Sequence, residues 1–254
     1  MNTKNILGVV GGMGPVASAE FLKSIYEYSQ GEREQEFPVV FVYSDPTFPD
    51  RTQAFDNGEE QLVLDQLMQA LSALLQMNAS KIVLCCMTIH HLLPRLSPDL
   101  AEKIISLLDV IAAHLPRGEK KHLLICSTGT RRLRLFEEHK QRDLFERYLI
   151  FPSDDDQERI HRDLIYPIKK TPDLNTLLPL LDSLMEKYGT DSIAAGCTEI
   201  HVLSKHLAGN GHRGRYNCID PLAIIARLVA KGQLHNDSQS CLTTYSELRR
   251  SCGF

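Results

Sequence analysis

The sequence has no apolar run that approaches the about 20 consecutive residues needed to cross a bilayer as a helix. It also has little net charge, -4 over 254 residues, and so lacks the basic surplus that attracts nucleic acid or an anionic membrane. No charged and apolar leader precedes the first predicted strand, which begins shortly after Met1. We therefore expect a cytoplasmic protein that binds neither nucleic acid nor a membrane.

A nucleotide-binding loop and a disulfide framework are also missing. Residues 11–15, Gly-Gly-Met-Gly-Pro, lack the last glycine of Gly-x-Gly-x-x-Gly, and no Gly-Lys-Ser/Thr is present. These glycines suit a tight strand-to-helix turn, or a turn whose backbone N–H groups face a carboxylate. Cysteines such as Cys85, Cys86 and Cys126 end or lie within apolar stretches. Free thiols in a reducing compartment are therefore expected.

What the sequence does contain is a segment that occurs twice. Residues 82–90 run from an apolar stretch into Cys86 and His90, and residues 193–201 run from an apolar stretch into Cys197 and His201. The two cysteines are 111 positions apart, and so are the two histidines. An apolar run that ends in polar side chains is typical of a buried parallel strand. The repeat indicates a duplicated half-domain with one thiol from each half.

Strands and helices alternate along the chain. This pattern predicts an α/β fold of two pseudo-symmetric half-domains, each a mostly parallel sheet flanked by helices. The predicted first domain comprises residues 1–100 and 216–232, the second comprises residues 101–215, and residues 233–254 form a polar tail. Because ligands of parallel sheets bind beyond the carboxyl ends of the strands, we expect the active site in the cleft between the halves.

Three local predictions concern the segments between strands. The periodicity of residues 100–114 predicts one amphipathic helix. Residues 127–130, Ser-Thr-Gly-Thr, are predicted to form a turn that leads into a helix from Arg131. Residues 206–215, rich in glycine, histidine and arginine, are predicted to form a polar loop.

Two thiols that face each other across a cleft suit the inversion of a carbon centre. The Cα–H of an amino acid is a very weak acid, so inversion without a carbonyl cofactor requires a base on one face and an acid on the other. A desolvated thiolate is a strong base with a tunable pKa, which makes Cys86 and Cys197 the candidates. His90 and His201 either tune these thiols or satisfy backbone carbonyls, and both interpretations are open.

Other interpretations of the same residues are open as well. Two cysteines and two histidines are zinc-ligand types, although Cys-x-x-x-His across a strand end is not a usual zinc-finger spacing. A single cysteine nucleophile paired with a histidine would leave the second cysteine without a role. Two inert buried cysteines would leave the matching sequence around them unexplained.

Several motifs resemble those of the aspartate/glutamate racemase family, in particular its cofactor-independent aspartate racemases. Residues 49–52, Pro-Asp-Arg-Thr, match a family loop, and residues 196–200, Gly-Cys-Thr-Glu-Ile, match its second cysteine signature. Residues 86–90, Cys-Met-Thr-Ile-His, resemble the signature Cys-Asn-Thr-Ala-His, with Met87 in place of asparagine. Residues 165–169, Ile-Tyr-Pro-Ile-Lys, resemble the family segment Ile-Tyr-x-x-Ile-Lys.

The resemblance implies an aspartate racemase that needs no cofactor and no metal and forms a homodimer. Cys86 and Cys197 are then the two bases, while Arg51 and Lys169 hold the distal carboxylate of the substrate. The other residues that it implies for substrate binding are Met13, Thr52, Thr88, Ser127 and Thr198, supported by His90, Glu199 and His201. Because Met87 replaces an amide, the recognition of the α-groups and the substrate range are in question.

Alternatives on the same scaffold are a glutamate or broad-specificity racemase and a related isomerase or decarboxylase. Arg51 with Lys169 favours a dicarboxylic substrate, and the presence of both cysteines argues against decarboxylases that need one. A non-catalytic amino-acid binding module is a further alternative from a different functional class.

Overall fold

The alternating sequence pattern forms two parallel sheets, one in each half of the chain. The structure, a computed structural model, describes residues 5–115, 118, 120–170, 173–209 and 215–234. Its strands are Leu7–Gly11 (β1), Val40–Ser44 (β2), Lys81–Leu84 (β3), Ile104–Ile105 (β4), His122–Cys126 (β5), Leu149–Ile150 (β6), Ser192–Gly196 (β7) and Asn217–Ile219 (β8). The sheet orders are β2-β1-β3-β4 and β6-β5-β7-β8.

Helices connect the strands and cover the sheets. The α-helices are Pro15–Tyr28 (α1), Arg51–Asp56 (α2), Glu60–Gln76 (α3), Pro98–Ala101 (α4), Leu107–His114 (α5), Thr128–Arg132 (α6), Arg142–Tyr148 (α7), Asp154–Arg159 (α8), Tyr166–Ile168 (α9), Leu178–Lys187 (α10), Glu199–Gly209 (α11) and Pro221–Ala230 (α12). The 3-10 segments are Glu34–Glu36, Thr88–Arg95 and Leu174–Leu177, and residues Ile160–Ile165 form a π-helix. None of the described helices is long and apolar enough to cross a membrane.

The two sheets repeat one topology. In each, the first strand pairs in parallel with the second and the third, and the fourth pairs with the third. Strands β1, β5 and β7 are buried along their whole length, as expected for parallel strands covered on both faces. The predicted α/β fold class with two similar half-domains is confirmed.

A shared apolar core joins the two halves. It contains Phe21 and Ile111 from helices α1 and α5, and Leu124 and Phe145 from the second half. Helix α12 packs against α1 and α5 and adds Leu222 to this core. Two further apolar clusters are present, one on the outer face of each sheet. Because one core is common to both halves, their relative position is determined by apolar packing.

The single helix predicted for residues 100–114 is wrong. The segment contains the end of α4, strand β4 and helix α5. Ile104 and Ile105 are β-branched and pair with Ile82 and Val83, so the sheet overrides the helical periodicity. Ser106 then starts α5, and its hydroxyl accepts a hydrogen bond from the N–H of Asp109 at 3.2 Å.

Two other local predictions need correction. The predicted turn at residues 127–130 is already helical, because Ser127 caps α6 and its Oγ accepts from the N–H of Thr130 at 3.2 Å. The predicted loop at residues 206–215 begins inside α11, which continues to Gly209. Residues 210–214 of that loop, and residues 235–254 of the predicted tail, lie outside the described part of the chain.

The strand pairings also differ from the predicted assignment of segments to domains. Strand β4, predicted in the second domain, pairs with β3 in the first sheet. Strand β8, predicted in the first domain, pairs with β7 in the second sheet. The sequence does not indicate which sheet β4 or β8 joins, because both strands are short. The division into two domains as such stays a prediction.

We predict that Gly12→Ala destabilises the fold. Gly12 has φ 89°, and an added Cβ would lie 2.2 Å from the backbone oxygen of Asp45. Overpacking of this kind costs about 1–3 kcal/mol, and urea denaturation would measure it. The matched control is Gly209→Ala, where no atom of the described residues lies within 4 Å of the added Cβ and stability should be unchanged or higher. Equal stability of the two variants would contradict the prediction.

Candidate active site

One small cleft at the carboxyl ends of the strands is lined by side chains from both halves. Its lining comprises Met13, Asp50, Arg51, Thr52, Cys86, Thr88, Ser127, His161, Tyr166, Lys169, Cys197, Thr198 and Glu199. The cavity measures about 20 Å³, which is room for about one water molecule. The cleft as it stands is therefore smaller than any amino acid.

The two repeated cysteines lie on this cleft, one from each half. Cys86 follows strand β3 and Cys197 follows strand β7, and only 8% and 7% of their surfaces are exposed. Cys85 packs in the core shared by the two halves, whereas Cys86 packs in the outer cluster of the first half. The adjacent thiols therefore point to opposite sides of the chain, as strand geometry requires.

Cys197 shares a hydrogen bond with the carboxylate of Glu199. Its Sγ–H donates to Oε2 of Glu199 at 2.9 Å, and the hydroxyl oxygen of Thr198 lies 3.4 Å from the same carboxylate oxygen. Burial raises the pKa of the Cys197 thiol well above its usual range, and the nearby charge of Glu199 raises it further, although Lys169 lowers it. Cys197 is therefore a protonated thiol at neutral pH.

Glu199 reaches across to the first half at the start of helix α1. A Cβ added to Gly14 would lie 2.3 Å from Oε1 of Glu199. Only glycine at this position leaves space for the carboxylate. The carboxylate also lies near the amino end of α1, where the helix dipole favours a negative charge.

Hydroxyl groups join the two halves beside the thiols. The Oγ1 atom of Thr88 lies 3.1 Å from Oγ of Ser127 and 2.9 Å from Oγ1 of Thr130, and Ser127 donates to Thr130 at 3.1 Å. The hydroxyl of Thr198 donates to the carbonyl of Cys85 at 3.2 Å. These contacts hold the cleft in a narrow form.

Two cations line the cleft without a carboxylate partner of their own. Arg51 is 7% exposed, and its guanidinium donates to the carbonyls of Pro49 (2.7 Å), Phe48 (3.4 Å) and Met13. Its Nε is buried and finds no partner among the described residues. The Nζ of Lys169 lies 4.5 Å from the ring centre of Tyr166. Neither cation forms a salt bridge within the described residues. The carboxylates of Asp50 and Glu199 line the same cleft and balance the two charges overall. Because neither carboxylate lies at salt-bridge distance from either cation, both cations are left for direct contact with the carboxylate of a ligand.

Asp50 and Tyr166 line the cleft but were not predicted as site residues. The hydroxyl of Tyr166 donates to Oδ2 of Asp50 at 2.7 Å, which links α9 to the loop before α2. Burial opposes the ionisation of Asp50, but hydrogen bonds from Tyr166 and from the N–H of Gln53, with the charge of Lys169, lower its pKa overall. Both residues belong to the motifs Pro-Asp-Arg-Thr and Ile-Tyr-Pro-Ile-Lys, which also contain predicted site residues. Membership of these motifs could have identified them from the sequence.

His161 is the third lining residue that was not predicted. It lies in the π-helix that precedes Tyr166, and their ring centres are 4.6 Å apart. Sequence periodicity gave no signal for it, because residues five positions apart lie on different faces of an α-helix.

His90 and His201 do not line the cleft. Both nitrogens of His90 are used inside the first half: Nδ1–H donates to the carbonyl of Cys86 at 2.9 Å, and Nε2 accepts from the N–H of Leu107 at 3.2 Å. His201 lies 2.7 Å from Oδ2 of Asp220 and 3.0 Å from Oγ of Ser24. These contacts give both histidines a role in the backbone framework and place neither ring against a thiol.

The predicted effect of Met87 on the recognition of the substrate also needs correction. Met87 is 1% exposed and packs in the core shared by both halves, and it does not line the cleft. Its apolar side chain is therefore explained by core packing. The zinc alternative finds no support in geometry, since the described residues contain no group of three or more His, Cys, Asp or Glu side chains arranged as metal ligands.

Comparison with known proteins identifies the family of this chain. A family model described as Asp/Glu/hydantoin racemase matches residues 10–229. The chain belongs to the Asp/Glu/hydantoin racemase family. The resemblance seen in the sequence motifs is thereby confirmed, and so is the prediction of an amino-acid racemase as the class of enzyme.

Individual relatives of this racemase are distant in sequence. The structure is similar to Picrophilus torridus aspartate racemase, with a TM-score of 0.72 and 20% identity over 94% of this chain and 98% of that one. It is also similar to glutamate racemase from Campylobacter jejuni subsp. jejuni, with a TM-score of 0.54 and 16% identity over 98% and 99% of the chains. At these identities the likeness describes the fold.

A curated relative of the racemase differs in its described substrate range. The broad specificity amino-acid racemase RacX of Bacillus subtilis (strain 168) is 23% identical over 219 residues, which cover 80% of this chain and 88% of that protein. The relatives therefore include enzymes described as acting on aspartate, on glutamate and on several amino acids.

We predict that His90 makes the racemase less stable as the pH falls from about 6.5 to 4. Burial lowers the pKa of His90 from its ordinary value of 6.5 to about 4 in the folded state. Between these values the unfolded chain binds the extra proton and the folded chain does not. The free energy of unfolding therefore decreases as the pH decreases, by up to about 1.4 kcal/mol per pH unit.

Urea denaturation of the wild type and of His90→Asn from pH 4.5 to 8 would test this. The variant should give a flatter curve. The difference at pH 7–8, where His90 is neutral, measures the cost of losing the hydrogen bond from the N–H of Leu107 to Nε2. Parallel curves for the two proteins over the whole range would contradict the prediction.

Proposed function

We propose that this racemase interconverts L- and D-aspartate by a two-base mechanism without pyridoxal phosphate. The observation that carries the proposal is the pair Cys86 and Cys197, which come from equivalent strand ends and line one cleft with Arg51 and Lys169. One thiol on each side of a bound Cα is the arrangement that removal of a proton from one face and its return to the other require.

The protonation of Cys197 assigns starting roles to the thiols. Because burial and Glu199 keep the Cys197 sulfur protonated, we assign it the acid role in the resting enzyme. Cys86 then acts as the base that removes the Cα proton of one enantiomer. After one turnover Cys86 carries a proton and Cys197 has given up its own, so the enzyme is set for the other enantiomer.

The charges of the cleft support a dicarboxylic substrate. Arg51 and Lys169 lack salt bridges among the described residues, so the distal carboxylate of aspartate has two cations available. The closed cleft, about 20 Å³, has room for neither aspartate nor glutamate, so its volume does not discriminate between them. Entry of either substrate requires the halves to separate around the hydroxyl contacts of Thr88.

The supporting residues have distinct proposed roles. Thr52, Thr88, Ser127 and Thr198 offer hydroxyl groups to the α-carboxylate and α-amino group, and the carbonyl of Met13 accepts from the guanidinium that binds the distal carboxylate. A cytoplasmic location and a homodimeric assembly are also proposed, on the resemblance of the motifs to the family.

A single experiment tests the proposed reaction against its alternatives. L- or D-aspartate is incubated with the purified protein in D₂O without added cofactor and is analysed by chiral chromatography and mass spectrometry. We expect both enantiomers to form with deuterium at Cα, at higher kcat/KM than for glutamate or alanine. A higher kcat/KM for glutamate, or equal values for many amino acids, would show that aspartate is not the specific substrate.

The same incubation, repeated after dialysis against a chelator, separates the other classes. A binding module would give neither deuterium incorporation nor inversion. Activity that is lost on dialysis against a chelator and restored by zinc would contradict the thiol mechanism. Loss of the carboxyl group from a substrate would indicate a decarboxylase.

We predict that Cys86→Ser and Cys197→Ser each abolish racemisation and leave the fold intact. A hydroxyl is a far weaker acid than a thiol, so it does not supply the base at neutral pH. Chiral chromatography measures the loss, and exchange of the Cα proton in D₂O shows whether one enantiomer still reacts. Cys126→Ser is the matched control, because Cys126 is buried outside the cleft and hydrogen-bonded to Gln157. Near wild-type racemisation by either cleft variant would refute the assignment.

We predict that Lys169→Met lowers kcat/KM for aspartate much more than for alanine. A hydrogen bond to a charged group is worth about 1.5–3 kcal/mol, which corresponds to about a tenfold to hundredfold loss. Initial rates for both substrates measure the difference. The control is Arg132→Ala, which removes a cation that is 55% exposed and bound to Asp56 outside the cleft. Equal losses for the two substrates would show that Lys169 does not bind the distal carboxylate.

A further inference from the structure

The π-helix before α9 brings His161 to the cleft. Residues five positions apart are about 140° apart around an α-helix, which would direct His161 and Tyr166 to different faces. In a π-helix the repeating hydrogen bond spans five residues, so the two positions lie above one another. Their rings are 4.6 Å apart, and both line the cleft with Lys169. The irregular turn thus places three polar side chains on one wall.

The hydrogen bonds of His161 define its tautomer. The backbone N–H of Thr128, the first residue of α6, donates to Nδ1 of His161 at 3.2 Å. An atom that accepts an N–H carries no proton, so the neutral ring carries its proton on Nε2. No hydrogen-bond partner for this Nε2–H occurs among the described residues.

The surroundings keep the ring of His161 neutral. Burial lowers the pKa of His161, and the charges of Lys169 and Arg132 lower it further. The carboxylates of Glu158 and Asp50 act in the opposite direction but do not outweigh burial. A second proton would also have to occupy Nδ1, where it would meet the N–H of Thr128.

We propose that His161 is a substrate-binding residue whose Nε2–H donates to a carboxylate oxygen of the bound amino acid, beside Lys169. Both side chains are donors without an acceptor among the described residues, so the pair suits the oxygens of a carboxylate. A neutral N–H adds direction to the contact without adding a second positive charge. The inference rests on the proposed function, because it takes the ligand to be an amino acid.

The competing explanation is structural, because His161 also satisfies the first N–H of α6. Two variants separate the roles. His161→Gln places an amide donor near the position of Nε2 and gives up the contact with Thr128. His161→Asn places an amide oxygen near the position of Nδ1, where it accepts from Thr128, and gives up the donor.

We expect His161→Asn to lose tenfold or more in kcat/KM for aspartate with a raised KM, while its melting temperature stays near that of the wild type. His161→Gln should be less stable than His161→Asn but should keep more of the activity. The reverse order, in which Asn is active and Gln is not, would overturn the proposal and leave His161 as a helix cap.

A measurement without turnover completes the test. NMR of protein labelled with ¹⁵N in histidine reports the protonation of each ring nitrogen. The His161 resonances are identified by their loss in the variants. We expect protonated Nε2 and unprotonated Nδ1, and a shift of the Nε2 resonance on saturation with succinate, a dicarboxylate without a reacting Cα–H. A proton on Nδ1, or an Nε2 resonance unmoved by bound succinate, would overturn the proposal.

The two proposals fail in distinguishable ways. If succinate shifts the Nε2 resonance but aspartate is not racemised, the proposed function fails and the donor role of His161 stands. If aspartate is racemised but the Nε2 resonance is unaffected by succinate, the proposed function stands and His161 does not bind the carboxylate.

Discussion

The contact between hydroxyl groups of the two halves is the interaction on which the candidate site depends. Thr88 lies at the start of the segment after the first thiol, and Ser127 and Thr130 lie at the start of α6. Where they meet, the carboxyl ends of both sheets face each other and little space is left for water. Hydrogen bonds between hydroxyl groups are individually weak, about 0.5–1.5 kcal/mol. A closure built from them can therefore hold a cleft shut and still open for a substrate.

The narrowness of the cleft determines how its charges act. In a largely buried site, an opposite or like charge shifts a proton equilibrium far more than it would at the surface. Glu199 thus favours the thiol form of Cys197, while Lys169 acts in the opposite direction. A substrate carboxylate that partly neutralises Lys169 would strengthen the net effect of Glu199. Substrate binding and the protonation of the thiol are in this way physically linked.

Much of the architecture could be predicted from the sequence, because the relevant signals are local and repeated. The apolar runs that end at Cys86 and Cys197 predicted both strand ends and the shared cleft. The roles of the site residues stay predictions, although most of them line one cavity. The pairing of the two-residue strand at Ile104 and the π-helical placement of His161 depend on contacts between distant segments, which no local pattern encodes. Met87 was misread for the same reason, since its burial is decided by the neighbouring half.

The repeated histidines play corresponding parts in the two halves. His90 accepts the N–H of Leu107, the first residue of α5. At the equivalent place, His201 bonds to Asp220, which caps α12 with hydrogen bonds to the next backbone N–H groups. Each imidazole therefore connects the segment after a thiol to the start of a helix in the shared core. His201 extends this connection to Ser24 of α1 in the other half. Through that chain the position of the second thiol is tied to the half that supplies the first, which the proposed two-base mechanism requires.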